Sequence, residues 1–169
     1  MARYVAFLRG VSPMNLKMSD LRRCLEFAGF TNVRTILSSG NAAFDSPRRS
    51  AGAVERQVEA AMTKQLDRSF YTIVRSLDTL HEIVDADPFA AFDLPAGAKR
   101  VVTFARKLPK TAQSFPVERH GALILAVRDR EAFSAYVPSP RGPVFMELIQ
   151  ATFGSDVTTR TWETVKKCV

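Results

Sequence analysis

Histidine and cysteine are scarce in this chain, with two of each among 169 residues. Cys24 falls inside a helical pattern and Cys168 next to the carboxyl end, in no Cys-x-x-Cys spacing, which argues against both a disulfide framework and a zinc site. The carboxylates show no Asp-x-Asp-x-Asp spacing of a calcium loop. No metal is expected. The chain has no P-loop and no dinucleotide fingerprint, so no cofactor is expected, and no Gly-x-Ser-x-Gly elbow is present. A serine nucleophile needs a positioned base, and His81, beside Glu82, and His120, before Gly121, are not tied by sequence to any serine. Catalytic residues therefore stay unassigned. No apolar run approaches the length of a membrane span. The segment Met1 to Arg9 is too short for a secretory apolar region and has no small-residue cleavage site after it. A cytoplasmic protein is expected.

What the chain does have is an ordinary globular composition, 46% hydrophobic and 24% charged, with a formal charge of +7. That length and balance can bury one good core or two small fused ones. The excess of cations favours an anionic partner, such as a phosphorylated metabolite, a nucleotide or a nucleic acid, because a net field raises encounter rates with the opposite charge. The basic residues are scattered, however, with no run longer than Lys166-Lys167 in the carboxyl-terminal segment, so a solubilising surface explains them as well.

Tyr4 to Leu8 is apolar at every position, which suits a central strand buried on both faces. Gly10 and Pro13 break it. Ser19 is placed to cap a helix whose Leu21, Cys24, Leu25 and Ala28 recur at helical spacing, with Gly29 as its left-handed stop. Val33 to Leu37 and Asn41 to Phe44 read as short strands joined by the turn Ser38-Ser39-Gly40. Ser50 to Leu66 carries the apolar stripe Val54, Val58, Ala61, Met62, and Phe70 to Val74 is the fourth strand. This βαββαβ order over residues 1–75 is that of a ferredoxin-like half.

Beyond residue 76 the expectations are a short helix with Leu77, Leu80 and Val84, a strand Val101 to Ala105, an irregular stretch 107–121, and an antiparallel pair Leu123 to Val127 and Phe133 to Val137. A helix follows from about residue 143 to Phe153, stopped by Gly154, and a last helix carries Trp162 and Val165. Residues 76–169 thus form a second α+β half, a partial α/β repeat of the first with no residue-level repeat evident. The expected whole is one compact α+β domain over 1–169, made of two fused ferredoxin-like halves that share a core.

Chain direction then brings two polar loops to one edge of the first half. Right-handed crossovers place the loop Arg9 to Lys17 beside the turn Ser38 to Asn41. The candidate ligand-binding residues are accordingly Arg9, Gly10, Asn15, Lys17, Ser38, Ser39, Gly40 and Asn41. Arg9 can hold a carboxylate or phosphate in bidentate fashion, or form a structural ion pair with Asp20 or Glu26. Ser38, Ser39 and Gly40 can offer hydroxyls and backbone N–H groups as an anion nest, or be a plain hairpin turn. Trp162 is expected to pack in the core rather than stack on a ligand.

Four segments in order, Leu8-Arg9-Gly10-Val11, Ser39-Gly40-Asn41, Asp87-Pro88-Phe89 and Arg160-Thr161-Trp162-Glu163-Thr164-Val165, resemble the bacterial family called domain of unknown function 1697. The resemblance spans nearly the whole chain and implies two fused ferredoxin-like halves with no established activity. Two places depart from the pattern it implies. Ser12-Pro13-Met14-Asn15 stands where an asparagine usually follows the first motif directly. Gly142-Pro143-Val144 stands where a Ser-Lys-Leu step usually opens the penultimate helix.

Two classes of partner remain. A small anionic ligand at the polar edge is the preferred reading. The alternative is a single-stranded nucleic-acid module, for which only Tyr4 and Phe44 lie at plausible central strand positions and no RNP1-like run exists. Oligomeric state is not readable.

Overall fold

The computed structural model describes residues 1–169, an α+β protein with two antiparallel sheets and five helices. It divides into two compact units, one formed by 1–83 with 166–169 and the other by 84–165.

In the first unit, β1 (Ala2–Leu8), α1 (Met18–Phe27), β2 (Thr31–Ile36), β3 (Asn41–Ser46), α2 (Ala51–Leu66) and β4 (Thr72–Ser76) follow the expected order, and α3 (Leu77–Ala86) begins in it. The sheet order is β2-β3-β1-β4, and β1 pairs antiparallel with β3 and β4. Tyr4, Ala6 and Leu8 join Leu21 and Leu25 of α1 and Val54, Val58 and Met62 of α2 in one apolar cluster. Val5 and Phe7, of the opposite parity, are fully buried too. The all-apolar reading of β1 is therefore explained, because a strand buried in both parities has no position left for a polar side chain.

Helix α1 begins earlier than Ser19 suggests. Lys17 is the N-cap, with extended backbone and no side-chain cap, and its carbonyl accepts from Asp20 and Leu21. The preceding turn causes this: the Ser12 carbonyl accepts from both Asn15 and Leu16 and delivers the chain into the helix two residues sooner, leaving Ser19 in its first turn. The carboxyl end is as read. The Gly29 N–H donates to Glu26 O and the Phe30 N–H to Leu25 O, a Schellman closure that needs the positive φ of Gly29, +96°. Ser50 caps α2 by accepting from the Ala53 N–H at 3.2 Å.

Buried Glu55 of α2 was not singled out by sequence. Its Oε2 accepts from the Val74 N–H at 2.9 Å, giving a donor on edge strand β4 a partner inside the unit. A sheet edge satisfied in this way is less open to pairing with another chain.

The second unit contains β5 (Lys99–Ala105), β6 (Val117–Arg119), β7 (Ala122–Arg128), β8 (Glu131–Tyr136), α4 (Val144–Phe153) and β9 (Val157–Thr161), and α5 (Trp162–Lys167) begins in it. Its sheet order is β6-β7-β8-β5-β9, all antiparallel. Two strands escaped the sequence reading. β6 lies within the stretch 107–121 expected to be irregular, and β9 has the polar composition Val-Thr-Thr-Arg-Thr, without an apolar alternation to announce it.

Without β6, the second sheet has the order β7-β8-β5-β9, the same arrangement as β2-β3-β1-β4. A residue-level repeat follows from this equivalence. Arg75-Ser76-Leu77-Asp78-Thr79 at the end of β4 matches Arg160-Thr161-Trp162-Glu163-Thr164 at the end of β9. Arg75 pairs across the sheet with Val5, and Arg160 with Val102. Both arginines are buried, and each donates from Nη1 to the carbonyl of the residue before it, at 3.0 and 2.9 Å. The hydroxyl after each caps the next helix: Ser76 accepts from the Thr79 N–H and Thr161 from the Thr164 N–H, each hydroxyl pair lying 2.9 Å apart.

Two motifs distant in the chain meet inside the second unit. The ring of Phe89, from Asp87-Pro88-Phe89, packs edge-on against buried Trp162 with centroids 5.1 Å apart, and against Phe133 at 5.9 Å. Trp162 is thus a core residue.

Candidate functional site

At the upper end of β1 the ladder continues one residue past the strand, the Arg9 N–H donating to Tyr71 O at 2.8 Å. Gly10 then turns the chain with φ +76°. The loop after it is folded by Asn15, whose Oδ1 accepts from the Ser12 N–H at 2.9 Å and whose Nδ2 donates to Gly10 O at 2.8 Å.

The β2–β3 turn lies directly against this loop. The Leu8 N–H donates to Gly40 O at 2.8 Å, and a Cβ built on Gly40 would stand 2.9 Å from Val11 Cβ and 3.0 Å from Leu8 Cβ. Glycine is required there twice over, by the close approach and by φ +88°. Asn41 is fully buried and clamps the turn, its Nδ2 donating to Ile36 O and to Ser39 Oγ, both at 2.9 Å.

The eight candidate residues divide by what their side chains already do. Asn15 and Asn41 are spent on holding their loops, and the Ser39 hydroxyl is engaged by Asn41. Arg9, Lys17 and Ser38 are exposed. Arg9 makes no ion pair, and the structural pairings considered for it are not formed: Asp20 binds Arg23, and Glu26 binds Arg22 at 2.9 Å. Short i,i+3 and i,i+4 partners on the same helix take both carboxylates.

A hollow of about 290 Å³ opens beside the first loop, lined by Asn15, Lys17, Asp20, Leu66 and Arg68 among others. Arg9, Gly10 and the Ser38 to Asn41 turn do not line it. Arg68 was not recognised from sequence. It follows the left-handed cap Asp67 of α2, and its guanidinium sits over the Phe70 ring at 4.7 Å, which fixes a cation at the rim.

Asp45 and Cys24 of this unit have shifted titrations. The Asp45 carboxyl is held below its ordinary range by hydrogen bonds from Asn32 and then from Arg3, the latter an ion pair of 2.9 Å across β1 and β3. Burial raises the Cys24 thiol, which leaves it a poor nucleophile. Tyr4 and Phe44 are buried in the helix-facing core, and the Tyr4 hydroxyl accepts from the Arg49 N–H and donates to its carbonyl. These two rings therefore offer no surface for stacking a base.

The family model described as "Protein of unknown function (DUF1697)" matches residues 1–133, and the chain belongs to that family. Among solved structures, a conserved bacterial protein, SP0830 from Streptococcus pneumoniae, is similar over 99% of this chain and 96% of its own, with a TM-score of 0.70 at 19% identity. At that identity the likeness is one of fold. A search of curated proteins found no match.

Proposed function

We propose that this member of the DUF1697 family binds a small anionic molecule, phosphorylated or nucleotide-like, at the loop edge of its first unit. The carrying observation is Arg9. Its guanidinium is exposed and free of any carboxylate, and it stands on a strand end fixed by the Arg9 N–H to Tyr71 O bond, beside a turn clamped by Asn41. Ordering the exposed Arg9 side chain costs about 0.5–1.5 kcal/mol on binding, which the guanidinium-to-oxyanion bonds, among the stronger hydrogen bonds available, offset. Lys17 and Arg68 add positive charge at the neighbouring hollow, and the overall +7 steers anions toward the protein.

The reading is of binding, with no reaction assigned. The shared strand order supports a further part of the proposal, that the two units are each ferredoxin-like. The test is a thermal-shift titration with inorganic phosphate at constant ionic strength. Phosphate stabilises the wild type and has no effect on Arg9→Ala; an undiminished response in the variant sinks the proposal.

A further inference from the structure

We infer that the second unit carries a separate site for a small amphipathic carboxylate, a single ring or short acyl chain bearing one acid group. A cavity of about 270 Å³ opens between the β6–β7 turn and the start of α4. Its wall is apolar and built: Tyr136 and Phe145 stack with centroids 4.5 Å apart and 10° between planes, and Pro143, Val144 and Met146 complete it. Most of this wall, residues 136–146, lies outside the segment matched by the family model.

The rim supplies the opposite chemistry. His120 and Gly121 form the two-residue turn between Arg119 and Ala122, both with positive φ, so the imidazole is carried on a tight hairpin. Arg141 sits in a second tight turn, its N–H donating to Ser139 Oγ at 3.1 Å, with the Gly142 N–H donating to Ser139 O at 3.4 Å. Arg141 Nη1 lies 3.4 Å from His120 Nδ1. Arg141 makes no ion pair with any carboxylate.

An apolar pocket with a few convergent donors at its mouth is the usual form of a small-molecule site. The charged side chain beside the mouth is Arg141, which touches the lining residue His120 and has no counter-ion, so the complementary ligand places its apolar body against Tyr136 and Phe145 and its carboxylate at the Arg141 guanidinium. The volume lies at the small end of ligand pockets, which limits the body to about one ring. Phosphate alone, with no apolar body, does not fill it.

The test is an amide chemical-shift titration of the full chain with benzoate, benzyl alcohol and inorganic phosphate in parallel. Benzoate is expected to bind saturably with a Kd on the order of 1 mM, shifting the amides of Gly121, Ser139 and Phe145, and benzyl alcohol roughly tenfold more weakly. Arg141→Ala, at an exposed position, removes the difference between the two, and Met146→Trp, which fills the cavity, abolishes both. Equal binding of alcohol and acid by the wild type, benzoate shifts confined to Arg9 and Gly40, or no saturable shift at all would each overturn the inference. Because the two sites report through different amides, failure here leaves the loop-edge reading standing, and the converse.

Discussion

Replacing Gly40 by alanine tests how tightly the two loops of the first unit are joined. The added Cβ meets Val11 Cβ at 2.9 Å and Leu8 Cβ at 3.0 Å, distances that force something to move. Leu8 is fully buried in the core and cannot yield, so Val11 and its loop must. Forcing a non-glycine residue to φ +88° costs about 1–2 kcal/mol, and overpacking adds about 1–3 kcal/mol. Gly10→Ala is the matched control: it carries φ +76° with nothing within 4 Å of the new Cβ, so only the backbone cost of about 1–2 kcal/mol applies. In urea, where the slope is about 1–3 kcal/mol per molar, the Gly40→Ala midpoint should fall by clearly more than that of Gly10→Ala. Equal midpoints for the two variants would refute the close packing of the loops and with it the shared edge.

Leu8→Asp puts a carboxylate at a fully buried position among Leu21, Leu25 and Val54, and the expected outcome is an unfolded or insoluble protein; a soluble variant with unchanged melting temperature would show that this core is not as described. Asp45 sets a part of the acid stability. Its folded-state pKa is depressed, so its contribution is full above the ordinary carboxylate range and is lost as the pH falls through the lower folded value. Asp45→Asn should therefore lower stability at neutral pH and lose less than the wild type between about pH 5 and 2, the window below the unfolded carboxylate pKa; parallel stability–pH curves for the two proteins would remove Asn32 and Arg3 as the cause.

The parts legible in the sequence were those where burial writes a pattern. β1 announced itself by apolar residues in both parities, α1 and α2 by helical spacing, and the β2–β3 turn by Ser38-Ser39-Gly40. The parts missed had no such signal. β9 is a sheet strand made of threonines and a buried arginine, and the Arg75/Arg160 repeat appears only once Val5 and Val102 are seen as equivalent partners. At the candidate site, sequence identified the loops but not the division of labour within them. That Asn15 and Asn41 serve the backbone while Arg9 stands free depends on which groups a folded loop satisfies internally, and residue type does not record this.

The most direct measurement of the central claim is an amide chemical-shift titration of the 169-residue chain with inorganic phosphate, at ionic strength held constant with chloride. The account expects saturable shifts at Arg9, Gly10 and the Ser38 to Gly40 amides, with Arg9 Nε moving in step, and their loss in Arg9→Ala. Shifts no larger than those caused by chloride, or saturable shifts only at residues away from the two loops, would contradict it.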